Sequence, residues 1–332
     1  MRISLNHIAQ AAGVSAKTVS GALHGGTAAM SADTRERIRS IARDLGYVPN
    51  LAARAMRQGR LPIVGVIADG LITAPFATGI MRAFENTLRT GGLSSVVSSL
   101  STDRDIGAAV SDLERFVPRA IAYACMYHRE LTVPQGAPIQ VMINCRDAGG
   151  LIPSLVPDEA DAARTLTAYL LARGRRRLAF LNLPGLLAGT LRAEGYRAAV
   201  AEADLPPRED RIRPATVGRI YTDCARSLVG EHVAALMAEP QPPDAIVCGN
   251  DRVALETYNA LRRLGLRIPD NVAVASFDNQ VEIATRLDPP LTTMALPHRI
   301  MGRLAAEIVL GQRPPGDRVR KIPFRLIERS SA

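Results

Sequence analysis

Residues 13–23 read GVSAKTVSGAL, with the hydroxyls of Ser15, Thr18 and Ser20 set around Lys17 and the small residues Ala16 and Gly21. Small hydroxyl side chains let a backbone come close to phosphates and donate to them, and a lysine between them can reach base edges such as guanine O6 or N7. The charge balance agrees with that chemistry. Residues 1–60 hold nine Lys/Arg against three acids, so they carry +6 of the chain's formal +9. A basic head on a nearly neutral body is the electrostatic footprint of a nucleic-acid binder.

Other chemistries find little support. No G-x-G-x-x-G, P-loop or G-x-S-x-G occurs at a strand–helix junction, and the five histidines (His7, His24, His128, His232, His298) are scattered. No catalytic residue, cofactor or metal site is therefore expected. Cys125, Cys145, Cys224 and Cys248 are far apart with no C-x-x-C pair, which predicts reduced, mostly buried thiols. Of the 332 residues 47% are hydrophobic and 22% charged, as in a soluble globular protein. No apolar run approaches the roughly 20 residues of a membrane span. The opening MRISLNHIAQ has no hydrophobic signal core, so the expected location is the cytoplasm.

The elements that must carry the basic face are short. Ser4 is a candidate N-cap for a helix with Leu5, Ile8, Ala9 and Ala12 on one side, and Gly13 breaks it. Val14 plugs the turn, and Ser15 caps a second helix that turns Val19, Ala22 and Leu23 inward. Ser31 caps a third, with Ile38, Ile41, Ala42 and Leu45 inside and Gly46 at its end. Helix, glycine turn and second helix form a helix-turn-helix, whose second helix enters the major groove. Residues 47–60, YVPNLAARAMRQGR, contain a possible cap at Asn50 and one short Ala-rich helix, too short to be stable alone.

From residue 61 strands and helices alternate. Apolar runs at 63–68, 93–97, 120–124 and 139–143 are followed by a second series at 178–181, 245–248 and 272–276. Helices are expected near 76–90, 104–116, 159–173, 190–203, 222–238, 251–264 and 298–310, and a final strand near 319–326. Such alternation predicts two α/β subdomains with parallel, doubly wound sheets. The expected division is 1–48 for the DNA-binding domain, 49–60 for a hinge and 61–332 for the body.

The head ISLNHIAQAAGVSAKTVSGALHG…MSADTRERIRSIARDLGYVPNLAARAMRQGR resembles that of the LacI/GalR family of bacterial transcriptional regulators. The resemblance continues through IVGVIADGLITAPF, LRAEGYRAA, GNDRVAL, SFDN and DPPLTTM in family order. It implies a homodimer, or a higher oligomer, that binds a pseudo-palindromic operator as a repressor. Its paired hinge helices would enter the minor groove, with Met56 at the position of the apolar wedge. Ser4, His24, Asn50 and Ala53 complete the expected DNA-facing set; the family commonly has Arg at Gly21 and Asn at His24. The resemblance also implies a body like periplasmic sugar-binding proteins, closing on a small effector such as a sugar, sugar acid or sugar conjugate. Arg192 matches the family's ligand-binding arginine, and Asn250 and Asp278 match its polar contacts. Phe76 and Tyr221 fall near apolar or stacking positions, and Asn144 is a candidate at the end of a strand. Leu296 stands where many members have a ligand-contacting Gln, and Ala74 where Asn is usual.

Overall fold

The computed structural model describes residues 3–24, 30–47, 61–71, 77–100, 105–206, 208–218 and 225–332. The hinge candidates Asn50, Ala53 and Met56, the cleft candidates Phe76 and Tyr221, Cys224 and the side chain of His24 lie outside the described residues. The chain forms two compact units, Met1–Leu61 and Pro62–Ala332.

Among its described residues the first unit contains three helices, α1 (Leu5–Ala12), α2 (Ala16–His24) and α3 (Ala32–Asp44). Ile8, Ala12, Val19, Ala22, Ile38 and Ala42 are buried together as one small core. Gly13 has φ +66°, a left-handed conformation that glycine adopts without steric cost and that turns the chain from α1 into α2. Each helix begins at a serine. The Ser4 N–H donates to His7 Nδ1 at 3.1 Å, and the hydroxyls of Ser15 and Ser31 accept the N–H groups of Thr18 at 3.1 Å and Thr34 at 3.2 Å.

Among its described residues the second unit contains two six-stranded sheets. Lobe 1 holds β1 (Ile63–Asp69), β2 (Ser94–Leu100), β3 (Ala120–Leu131), β4 (Ile139–Asp147), β5 (Ser154–Pro157) and β13 (Val319–Ile322), in the order β13-β5-β4-β3-β1-β2 and all parallel. Its helices are α4 (Thr78–Thr90), α5 (Ile106–Glu114) and α11 (His298–Val309). Lobe 2 holds β6 (Leu178–Asn182), β7 (Ile212–Pro214), β10 (Ala245–Cys248), β11 (Ala273–Asp278), β12 (Thr292–Ala295) and β14 (Arg325–Ile327), in the order β14-β12-β11-β10-β6-β7. Only β14 is antiparallel to its neighbour there. Its helices are α6 (Glu159–Ala172), α7 (Leu187–Glu202), α8 (Val229–Met237), α9 (Asp251–Arg263) and the short α10 (Val281–Ala284). A small antiparallel pair, β8 (Thr216–Val217) and β9 (Arg226–Ser227), stands apart.

Both faces of each sheet are covered, as parallel sheets require. In lobe 1, Val64 and Val66 join Ile80 and Phe84 on one side, while Ile67 and Tyr123 join Leu113 on the other. In lobe 2, Ile246 and Val274 face Tyr258 and Val233, while Val247 and Phe277 face Leu166 and Val200. The chain crosses between lobes three times, after β5, after β12 and between β13 and β14. Helix α7 lies so close to the start of α6 that a Cβ on Gly195 would sit 1.9 Å from the Ala160 carbonyl oxygen.

Several elements differ from the sequence-based expectation. The single final strand is two, β13 and β14, in different sheets, because Pro323 and Phe324 carry the chain across the lobes. The helix expected near 222–238 begins only at Val229, since Arg226–Ser227 is spent on β9. Strands β5, β7 and β12 were not anticipated, being too short to show a period. Cys125, Cys145 and Cys248 are buried free thiols. Burial pushes the Cys248 thiol up to about 12, so it stays protonated and inert.

Candidate functional site

Two regions carry polar side chains in functional arrangements, one in each unit. On the head, Lys17 and Ser15 are exposed at the start of α2, and Ala16, Thr18, Ser20 and Gly21 are half-buried behind them. Ser4 is exposed at the start of α1. The exposed end of α2 is its N-terminal end, the part of a recognition helix that meets base edges. The Ser15 and Thr18 hydroxyls lie 2.8 Å apart, and Ser15 is held by its capping bond.

The second region is a cleft between the lobes, where the carboxyl ends of strands from both sheets converge; this is where open α/β sheets bind ligands. Asn144, Arg192, Asn250 and Asp278 line this one cleft, and so does Leu296. Asn250 is the N-cap of α9 and Asp278 ends β11 at φ +102°, whereas Arg192 lies within α7 and Asn144, expected at a strand end, lies inside β4 at φ +59°. Non-glycine residues seldom adopt positive φ, and such residues concentrate at functional sites.

Arg192 is the centre of the lobe 2 wall and is almost wholly buried. Its Nε donates to Glu159 Oε2 at 2.6 Å and its Nη1 to the Gly249 carbonyl at 2.5 Å, while its Nη2 lies 3.6 Å from Asp278 Oδ1. The guanidinium also lies 4.4 Å from the centre of the Phe277 ring. Burial pushes the Glu159 and Asp278 carboxyls above their ordinary values, and Arg192 offsets part of that rise. Asn250 Oδ1 accepts the Val253 N–H at 3.0 Å, so its cap role is realised in the cleft wall itself. Behind this wall, Asp251 holds the turn after β11: its carboxylate accepts from Thr293 Oγ1 at 2.8 Å, from the Gln280 N–H at 2.5 Å and from the Ser276 hydroxyl. Burial, reinforced by the charge of Asp278, pushes the Asp251 carboxyl up to about 7.

The lobe 1 wall is different. Asn144 Nδ2 donates to the carbonyls of Cys125 at 3.1 Å and Met126 at 3.0 Å, but its Oδ1 is buried with no hydrogen-bond partner among the described residues. His128, late in β3, is 5% exposed, and neither ring nitrogen has a partner among the described residues. Its Nδ1 lies 4.0 Å from Glu159 Oε1. That approach is not an ion pair, because burial and the charges of Arg146, Arg192 and Lys321 lower the imidazole to about 4 and keep it neutral.

Sequence reasoning missed His128, Glu159 and Asp251. Glu159 and Asp251 stand in the first turns of helices, where acids are expected as solvated partners of the helix dipole, and only tertiary packing buries them. His128 follows no period. Its one legible signal is that it lies a few residues beyond the apolar run 120–124, at the carboxyl side of a predicted strand. Among the described residues no group of three His, Cys, Asp or Glu is placed to hold a metal, and no helix is long and apolar enough to cross a membrane.

Comparison with known proteins agrees with this architecture. The profile for bacterial regulatory proteins of the lacI family matches residues 4–50, and a periplasmic binding protein-like domain matches residues 167–332. The chain is 38% identical to the sucrose operon repressors of Escherichia coli and Shigella flexneri, over 99% of each chain. Among solved structures, a LacI-family transcriptional regulator from Rhizobium etli is 30% identical with a TM-score of 0.75, covering 82% of this chain and 99% of its own. The transcriptional regulator CelR in complex with cellobiose is 25% identical with a TM-score of 0.67, covering both chains completely. With a helix-turn-helix head, two α/β lobes and a full-length relative at this identity, the chain belongs to the LacI family of DNA-binding transcriptional regulators.

Proposed function

We propose that this protein is a repressor that binds a pseudo-palindromic operator as a homodimer and answers to a small sugar-like effector held between the lobes of its body. The observation that carries the reading is the cleft itself, in which Arg192, Asn250 and Asp278 of lobe 2 face Asn144 of lobe 1. An arginine, a carboxylate and two amides supply the donors and acceptors that sugar hydroxyls need. The likeness to sucrose operon repressors and to a cellobiose-bound regulator supports a carbohydrate effector. The cleft encloses about 30 Å³, room for water-sized occupants, so a sugar enters by parting the lobes. An effector with different affinities for parted and closed bodies shifts the balance between them, and that difference limits how strongly it acts on DNA binding. The proposed division of labour is residues 1–48 for the operator, 49–60 for a hinge that reaches the minor groove through Met56, and 61–332 for effector and dimerisation. A protein acting on operator DNA works in the cytoplasm.

Fluorescence anisotropy with a labelled palindromic duplex tests the reading. Specific binding that weakens steeply with salt, and changes on adding a sugar, is the expected result. Lys17→Ala is expected to cost about 1–3 kcal/mol on the cognate duplex and to relax specificity at one position. Equal weakening on every duplex would make Lys17 a phosphate contact instead. A protein that binds sugar but shows no preference among duplexes would overturn the repressor assignment.

A further inference from the structure

The effector cleft has two polar walls, and on one of them each charged group has a partner in the chain. Arg192 is engaged by Glu159, Gly249 and Asp278, so its guanidinium does not stand open to an incoming anion. Counting charges at the cleft, one arginine faces two carboxylates. Of the cations just beyond, Arg146 lies 2.7 Å from Glu130 and Lys321 3.8 Å from Asp158, while the charge of Arg252 acts on Asp278 itself. A carboxylate or phosphate brought into this space would lie beside the Glu159 and Asp278 carboxyls, with Arg192 already engaged by both.

The other wall states what it lacks. Asn144 Oδ1 is an acceptor by assignment of the network, since Nδ2 is fixed by two backbone carbonyls. His128 offers one donor and one acceptor in its neutral form. Three polar atoms, Asn144 Oδ1 and both ring nitrogens of His128, are buried without partners among the described residues, and both side chains line the same cleft. Buried polar groups are rarely left unpaired, and such a cluster calls for a partner beyond the described residues, which a bound effector would supply. The partner must donate to Asn144, and must both donate to and accept from His128. A hydroxyl does both; a carboxylate or phosphate oxygen only accepts.

Resting on the reading of this cleft as the effector site, we infer that lobe 1 reads the effector through His128 and Asn144, and that the effector is a neutral polyhydroxylated sugar rather than a sugar acid or a sugar phosphate. His128 is then a specificity residue, held neutral by its surroundings so that it keeps an acceptor nitrogen.

The test is calorimetric titration of the full-length protein with sucrose and cellobiose as neutral probes, and with D-gluconate and glucose 6-phosphate as anionic ones. The expected result is binding of at least one neutral sugar, with the anionic probes at least tenfold weaker. His128→Leu should weaken the neutral probe about tenfold, the loss of one hydrogen bond to a neutral group, and His128→Gln should recover part of it. Melting curves without sugar check that both variants fold. Tighter binding of an anionic probe, or unchanged affinity in a folded His128→Leu protein, would overturn the inference; the wild-type comparison stands even if the variant misfolds. A wild type that binds none of the four, while still recognising a palindromic duplex, removes the sugar reading beneath it and the inference with it.

Discussion

The two walls of the cleft are built on opposite principles. On lobe 2, Arg192, Asn250 and Asp278 all have partners in the chain, and their geometry is set before any ligand arrives. On lobe 1, Asn144 and His128 have buried polar atoms with no partner among the described residues. The difference separates two properties that sequence comparison merges under one set of binding residues. The matched wall contributes to the stability of the body, and the unmatched wall bears a cost in stability that a ligand can relieve.

The largest expected effect falls on the matched wall. Arg192→Ala leaves Glu159 and Asp278 buried and uncompensated, and should cost about 3–5 kcal/mol in urea unfolding. A cost below about 1 kcal/mol would show that the wall is not structural and would erase the contrast. Arg192 is thus more than the ligand arginine implied by family resemblance, and truncating it is not a clean test of effector binding.

Next comes the pH dependence of the unmatched wall. The His128 imidazole sits at about 4 in the folded protein against an ordinary 6.5, so the unfolded chain takes up the proton first. Its contribution is fully present above pH 6.5 and is lost as the pH falls toward 4, to a total of about 3 kcal/mol. Asp251, raised to about 7, has the opposite sign: its contribution is present below its unfolded value of 3.8 and is lost as the pH rises through 7. The two overlap, so the difference between wild-type and His128→Leu stability curves from pH 4 to 7 isolates the histidine. A flat difference would mean that His128 is not held neutral by burial.

The smallest effect sharpens the contrast within one residue. Asn250→Ala removes the cap of α9 and should cost about 1 kcal/mol without any ligand. Asn250→Ser keeps a capping oxygen and should recover most of that stability; any loss of sugar affinity that remains measures the ligand role alone.

The matched wall was the more legible half of the site. Asn250 announced itself as a cap before an amphipathic run, and Arg192 and Asp278 lay in stretches that carry the family resemblance. Asn144 was expected at a strand end, whereas it lies inside β4. His128 was not visible, because YHRE has no period and its burial depends on α7 packing against β3. The fold shows the same division. Long periodic elements such as α9 and α11 were readable to within a residue at their ends, since local pattern decides them. The split of β13 from β14 was not, because VRKIPFRLI is one nearly continuous run and only the open edges of two distant sheets pull it apart. The residues 48–60 that would carry the hinge lie outside the described chain.

The missing side chain at Gly195 has a further consequence. By letting α7 rest against the backbone of α6, it joins the helices that carry Arg192 and Glu159 into a single plank. In the proposed parting of the lobes that plank would travel as one piece, and what would change is its distance from β3 and β4. On that reading, ligand preference would be rewritten through a few positions on two strands, while the moving part and the signal it sends would be inherited unchanged.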